Sequence, residues 1–289
     1  MIELNNNHIH ISIKKKGAEI CSLYNKTSAL EYIWQGDPSF WPWHAPNLFP
    51  IVGGVVDNQV SYEGSFYPLQ RHGFARHAHF VLIESSGTHA VFSLRYNKET
   101  LSSYPFHFEY QVIYHLDDDA LRCTYKVINI DTKTIFFSLG AHPAFNVPFF
   151  PYERYDDYYL EFEKEEVLTR HHLSPNGYFN TQQSQVPLNG KKLELTEHLF
   201  EEDALVFKSL ASKEVTIRSK NHPHALKVIF PEFKSLGIWA KPGASFVCIE
   251  PWLGYADNEN FASSIQEKEG ILSLSSGHVY EASFTISIM

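Results

Sequence analysis

Apolar and polar residues alternate with period two through most of the chain. Ile9, Ile11 and Ile13 interleave with His10, Ser12 and Lys14. Leu121, Cys123, Tyr125 and Val127 interleave with Arg122, Thr124 and Lys126, and Tyr280 to Ile288 repeats the pattern. Such alternation puts one face of a strand on a core and the other in water. Further short strands are expected over residues 90–96, 108–114, 158–162, 215–218, 226–230 and 246–249. Clusters at 117–119, 175–177 and 241–243 carry the Gly, Pro, Asn and Asp that turns require. Helical signal is confined to 196–200 and 263–268, each one or two turns. No βαβ alternation is present, so the expected fold is all-β: one large antiparallel β-sandwich over residues 1–289 with few short helical turns.

Charge narrows the partners. With 24 basic and 33 acidic residues the net charge is −9, and no dense Lys/Arg block occurs, which argues against nucleic acid. The most apolar window, 135–150, is broken by Gly140, His142, Asn146 and two prolines, too short and polar to cross a bilayer. Three dispersed cysteines, Cys21, Cys123 and Cys248, fit a reducing compartment, and no secretory signal stands at the N-terminus; cytoplasmic location is expected. The 43 aromatic residues provide flat apolar faces of the kind on which sugars lie.

Three polar clusters interrupt apolar, Gly/Pro-rich sequence: Arg71-His72-Gly73-Phe74-Ala75-Arg76, Ser138 to Asn146 around His142-Pro143, and Cys248-Ile249-Glu250-Pro251-Trp252. Glu250 follows an apolar strand and precedes a proline expected to stop ladder pairing there. A partly desolvated carboxylate at such a point is a candidate general base. Each cluster alone is better explained as structural, and the combination is what points to chemistry. His8-x-His10, His77-x-His79 and His222-x-His224 have the spacing of paired ligands, but no third ligand lies near, so no metal site is expected. Fingerprints for nucleotides, serine hydrolases and zincins are absent, and no cofactor is expected.

Taken together, H-G-F-A-R at 72–76, G-A-H-P-A-F at 140–145 and C-I-E-P-W at 248–252 resemble the aldose 1-epimerase (galactose mutarotase-like) family, in its LacX-like branch. The resemblance extends through LFPIVG at 48–53, EEDALVF at 201–207 and LGIWAKPGASFVCIEPWLGYAD at 236–257. It implies a β-sandwich isomerase that interconverts the α and β anomers of a hexose without metal or cofactor. By this resemblance Glu250 is the general base at the C1 hydroxyl and His142 the general acid at the ring oxygen. His72 and Asp203 would bind the sugar. The family generally carries an arginine where this chain has Gly54, and Arg71 or Arg76 is expected to supply that cation.

Phe74, Phe145 and Trp252, each close in sequence to one of these residues, are candidate sugar contacts, and at least one of them is expected to line the cleft and pack on the ring. His142 and Glu250 are expected to face each other across a cleft with room for a pyranose between them. A hexose-6-phosphate mutarotase and a carbohydrate-binding or sensing protein without turnover are the alternatives. Beyond its sugar, the chain is expected to be a monomer or weak homodimer with no membrane partner.

Overall fold

A computed structural model describes residues 1–289. Nine antiparallel strands form the largest sheet. Their spatial order is Lys192–Glu194, Tyr158–Phe162, Glu214–Ser219, Ala225–Ile229, Val279–Ile288, Ala120–Asn129, Phe108–Asp117, His89–Arg95 and Val81–Ser85. The two ten-residue strands Phe108–Asp117 and Ala120–Asn129 pair along their full length, each burying alternate side chains as the period-two pattern predicts.

A second sheet carries the candidate chemistry. Its order is Leu205–Phe207, Ser235–Trp239, Phe246–Leu253, Leu139–Ala141 and Asn47–Leu48, with Ala144–Asn146 also paired to Phe246–Leu253. All eight residues of Phe246–Leu253 are buried. A strand covered on both faces reads as a continuous apolar run, which is why its sequence lacks alternation. The ladder does not end at Glu250 as the following proline suggested. Gly237 pairs with Glu250, Leu236 with Pro251, and Ser235 and Gly140 with Trp252, so the flanking pairs carry the strand across the missing N–H.

The sheets meet through a polar contact as well as through aromatic packing. Asn47 of the second sheet donates to the Tyr114 hydroxyl at 3.2 Å and accepts from the Tyr125 hydroxyl at 2.7 Å, both on the large sheet. Phe49 stacks on Tyr110 with ring centroids 4.4 Å apart. One continuous apolar cluster fills the space between, while a small separate one, including Val52, Val206, Trp252 and Ala256, lies against the site.

Helix is sparse, as expected, and only one of the two expected segments carries a helical turn. Residues 196–200 form turns without a helix, and 263–268 yields only the single 3-10 turn Ile265–Glu267. The one α-helical turn, Lys98–Leu101, was not anticipated; the Asn97 side chain caps it by accepting from the N–H groups of Glu99 and Thr100. No helix is long and apolar enough to cross a membrane.

Candidate active site

His142 occupies the break between Leu139–Ala141 and Ala144–Asn146, where Pro143 prevents continuous pairing. Glu250 projects from the middle of the fully buried strand Phe246–Leu253. The two strands are neighbours in the sheet, and they bring His142 Nε2 to 3.2 Å from Glu250 Oε2. The pair faces one cavity of about 220 Å³ that also receives Arg71, His72, Arg76, Asp203, Trp41, Trp239 and Trp252. His142 and Glu250 therefore do share a site, but in contact: a sugar would lie against the pair, not between its members.

Burial sets the protonation of this pair. Desolvation, reinforced by repulsion from Asp203, pushes Glu250 well above the ordinary carboxylate range. Desolvation and then the Arg76 charge bring His142 down to about 3. Each group is thus biased toward its neutral form, a carboxyl group opposite an uncharged imidazole. The Glu250 Oε2 and His142 Nδ1 atoms are buried without hydrogen-bond partners. Such groups are costly unless a ligand satisfies them.

His72 is a neutral donor held in one orientation. Its Nδ1 accepts from the Gly53 N–H at 3.2 Å, which places the ring proton on Nε2. Burial, followed by the His142, Arg76 and Arg71 charges, holds its pKa well below the usual value. Its backbone lies in the left-handed region at φ 66°.

The two arginines are cations without carboxylate partners. Arg71 donates to the Asn176 carbonyl at 2.9 Å, and Arg76 donates to the Arg71 carbonyl at 2.9 Å. Arg76 also lies over the Trp43 ring at 5.4 Å, and its Nε is buried and unpartnered. Arg71 needs the glycine at 177, because a Cβ there would stand 1.4 Å from its Nη2. A Cβ on Gly54 would in turn lie 3.4 Å from the Gly177 carbonyl. Arg71 consequently places its charge beside the surface that Gly54 leaves uncovered.

Asp203 is a non-glycine residue at φ 75°, a conformation that persists only where the surroundings enforce it. The buried Arg170 supplies that constraint. Its guanidinium donates to the Glu202 carbonyl and, at 3.3 Å, to the Asp203 carbonyl, and reaches the Glu202 carboxylate at 3.1 Å.

Of the three aromatic candidates for sugar contact, only Trp252 lines the cavity. Phe145 is fully buried in the core, and Phe74 packs against Phe49, Tyr104 and Phe108. Both follow strand or turn geometry that points them away from the site. Trp252 fits because Gly140 and Gly237 flank it: a Cβ on either would meet the indole at 2.5 or 2.7 Å. Trp41 and Trp239 were not singled out from sequence, yet they wall the site. Trp41 stacks on His142 at 4.9 Å, and Trp239 meets His142 edge-on at 6.0 Å. Their signal was the Trp-Pro-Trp run at 41–43 and a Trp closing the strand opposite Cys248. The paired-histidine spacings do not converge on a metal set. His8 and His10 meet Asp119 and Glu3, and His222 meets Glu153.

Residues 1–284 match the family model described as Aldose 1-epimerase. Protein LacX of Lactococcus lactis subsp. lactis is 33% identical over 297 residues, covering all of this chain and 99% of its own length. Among solved structures, a galactose mutarotase related enzyme from Lactobacillus acidophilus superposes with a TM-score of 0.95 at 32% identity, covering 100% of this chain and 97% of that one. A galactose mutarotase-like protein from Lactobacillus casei ATCC 334 gives a TM-score of 0.94 at 32% identity, with complete coverage of both chains.

Proposed function

The chain belongs to the aldose 1-epimerase family, and on that premise we propose that it interconverts the α and β anomers of a hexose at the His142–Glu250 pair. The observation that carries this reading is the pair itself: an imidazole and a carboxyl group 3.2 Å apart, beside a cavity lined by three tryptophans, two arginines and His72. Transfer of a proton from the Glu250 carboxyl group to His142 gives a carboxylate and an imidazolium. The carboxylate takes the proton of the C1 hydroxyl while the imidazolium protonates the ring oxygen. The C1–O5 bond breaks, and an open-chain aldehyde forms. Rotation about C1–C2 and reclosure on the other face return both protons, with acid and base exchanged, as reversibility requires. His72, as a fixed Nε2–H donor, and Asp203, as an acceptor, hold hydroxyls. No metal or cofactor enters these steps.

A phosphorylated or otherwise anionic hexose is the second reading. Arg71 and Arg76 favour it, since two guanidiniums with no carboxylate partner face the cavity. Three free thiols suit a reducing, cytoplasmic setting. The test is polarimetry and NMR saturation exchange on freshly dissolved α-glucose, α-galactose and glucose 6-phosphate. Acceleration of a neutral sugar supports the first reading. Acceleration confined to the phosphate supports the second, and none with any sugar overturns both.

A further inference from the structure

We infer that His142, Cys248 and Glu250 form a binding site for a thiophilic divalent cation of the Zn2+ or Cd2+ class, and that its occupancy blocks the acid–base pair. One ligand atom from each residue lies within 4.8 Å of the others. The geometry follows from the sheet. Cys248 and Glu250 are two apart on one strand and so share a face, and Ala144, opposite Cys248 in the ladder, is two residues beyond His142.

Bond lengths support the assignment. With metal–nitrogen and metal–oxygen bonds of about 2.0–2.2 Å in a tetrahedron, neighbouring ligand atoms stand roughly 3.3–3.5 Å apart. The His142–Glu250 separation of 3.2 Å already matches that edge. The sulfur needs a closer approach of about 1 Å, within reach of side-chain rotation. Despite its closeness to His142, Glu250 Oε2 has no hydrogen-bond partner although it is buried, so its lone pairs are unspent. The Cys248 thiol is free. The adjoining cavity leaves room for water as a fourth ligand.

The mixed sulfur, nitrogen and oxygen set selects against Mg2+ and Ca2+, which take oxygen ligands. Binding displaces the thiol proton to solvent, so affinity rises with pH. Arg71 and Arg76 oppose entry of a cation, while Asp203 on the same cavity offsets part of their charge. This site does not depend on the sugar reading, because its test reads the cation directly.

Cys21 is half-exposed and is first replaced by serine. The Cys21→Ser protein is titrated with Cd2+ while the ultraviolet thiolate-to-cadmium charge-transfer band is followed, and with Zn2+ by calorimetry in buffers of different ionisation enthalpy. One equivalent, with release of protons, is expected. Adding Cys248→Ser should abolish the band, and Glu250→Gln, which keeps the thiol, should weaken binding roughly 10- to 100-fold. Zn2+ should stop anomer exchange reversibly, with chelator restoring it and Mg2+ without effect. Absence of the band at one equivalent, or unchanged affinity in Glu250→Gln, overturns the site. Binding without loss of exchange in an active protein overturns the blocking role.

Discussion

His142 Nε2 lies 3.2 Å from Glu250 Oε2, yet burial drives the two groups toward their neutral forms. Contact between an acid and a base usually produces an ion pair. Here burial reverses that preference, helped by Asp203 beside Glu250 and Arg76 beside His142. A neutral pair is cheap to keep dry and needs one short proton move to become the form that opens a sugar ring.

Replacing either member should stop catalysis without unfolding the protein. Glu250→Gln and His142→Ala are each expected to lower anomer exchange about 10²- to 10⁴-fold. NMR saturation exchange measures the loss, and circular dichroism checks the fold. Exchange within a few-fold of wild type in either variant would remove that residue from the mechanism.

Glu250→Gln should also stabilise the protein at neutral pH. The folded chain keeps this carboxyl protonated well above its ordinary value of 4.5, whereas the unfolded chain releases the proton. A raised folded pKa contributes stability below pH 4.5 that is lost as pH rises toward the folded value. The glutamine removes that loss, so its Tm should exceed wild type at pH 7 and converge with it below pH 4.5. His142 works in the opposite sense. Its lowered value, about 3, makes the protein lose stability as pH falls from 6.5 toward 3. Calorimetry across pH 4–8, read as the difference between Glu250→Gln and wild type, isolates the carboxyl contribution.

Arg71 should govern affinity for an anionic sugar. Its removal as Arg71→Ala deletes a charge-assisted bond worth roughly 1.5–3 kcal/mol, or about 10- to 100-fold in KM, with kcat little changed. Gly177→Ala should act in the same direction, because its methyl group takes the volume of the guanidinium. Gly54→Arg should give no gain, since a side chain there starts 3.1 Å from the Tyr178 ring and beside the existing cation. A lower KM in Gly54→Arg would show that Arg71 does not serve this space.

Trp252→Ala should weaken both structure and binding. The indole is wedged between Gly140 and Gly237, so its loss leaves a cavity costing about 3–5 kcal/mol. Trp252→Phe retains an aromatic face and should recover most of the stability. A sugar affinity equal to wild type in a folded Trp252→Ala protein would assign the residue to packing alone.

The β-class and most strands were legible because alternation survives wherever one face meets water, as in Ala120–Asn129. Legibility failed at Glu250, where a strand buried on both faces offers no period and the proline suggested an end. The chemistry-bearing residues His72, His142, Glu250, Arg71, Arg76 and Asp203 could be named from motifs, and all line one cavity. Phe74 and Phe145 were misplaced because closeness in sequence to a polar residue says nothing about which way a ring points. Trp41 and Trp239 were missed for the converse reason. They reach the site by tertiary packing against His142, about 100 residues away along the chain.

The strand Val279–Ile288 lies in the interior of the nine-stranded sheet, hydrogen-bonded to Ala120–Asn129 on one side and Ala225–Ile229 on the other. The four strands from Val81 to Asn129 and the four from Tyr158 to Ile229 are joined within that sheet only through it. On the ribosome both halves therefore emerge with an unpaired edge, and neither can close on the other until the last of these strands leaves the exit tunnel. Closure of the sheet therefore waits for residues 279–288, and ribosome-stalled chains lacking them should expose two sticky edges that chaperones or other nascent copies would bind.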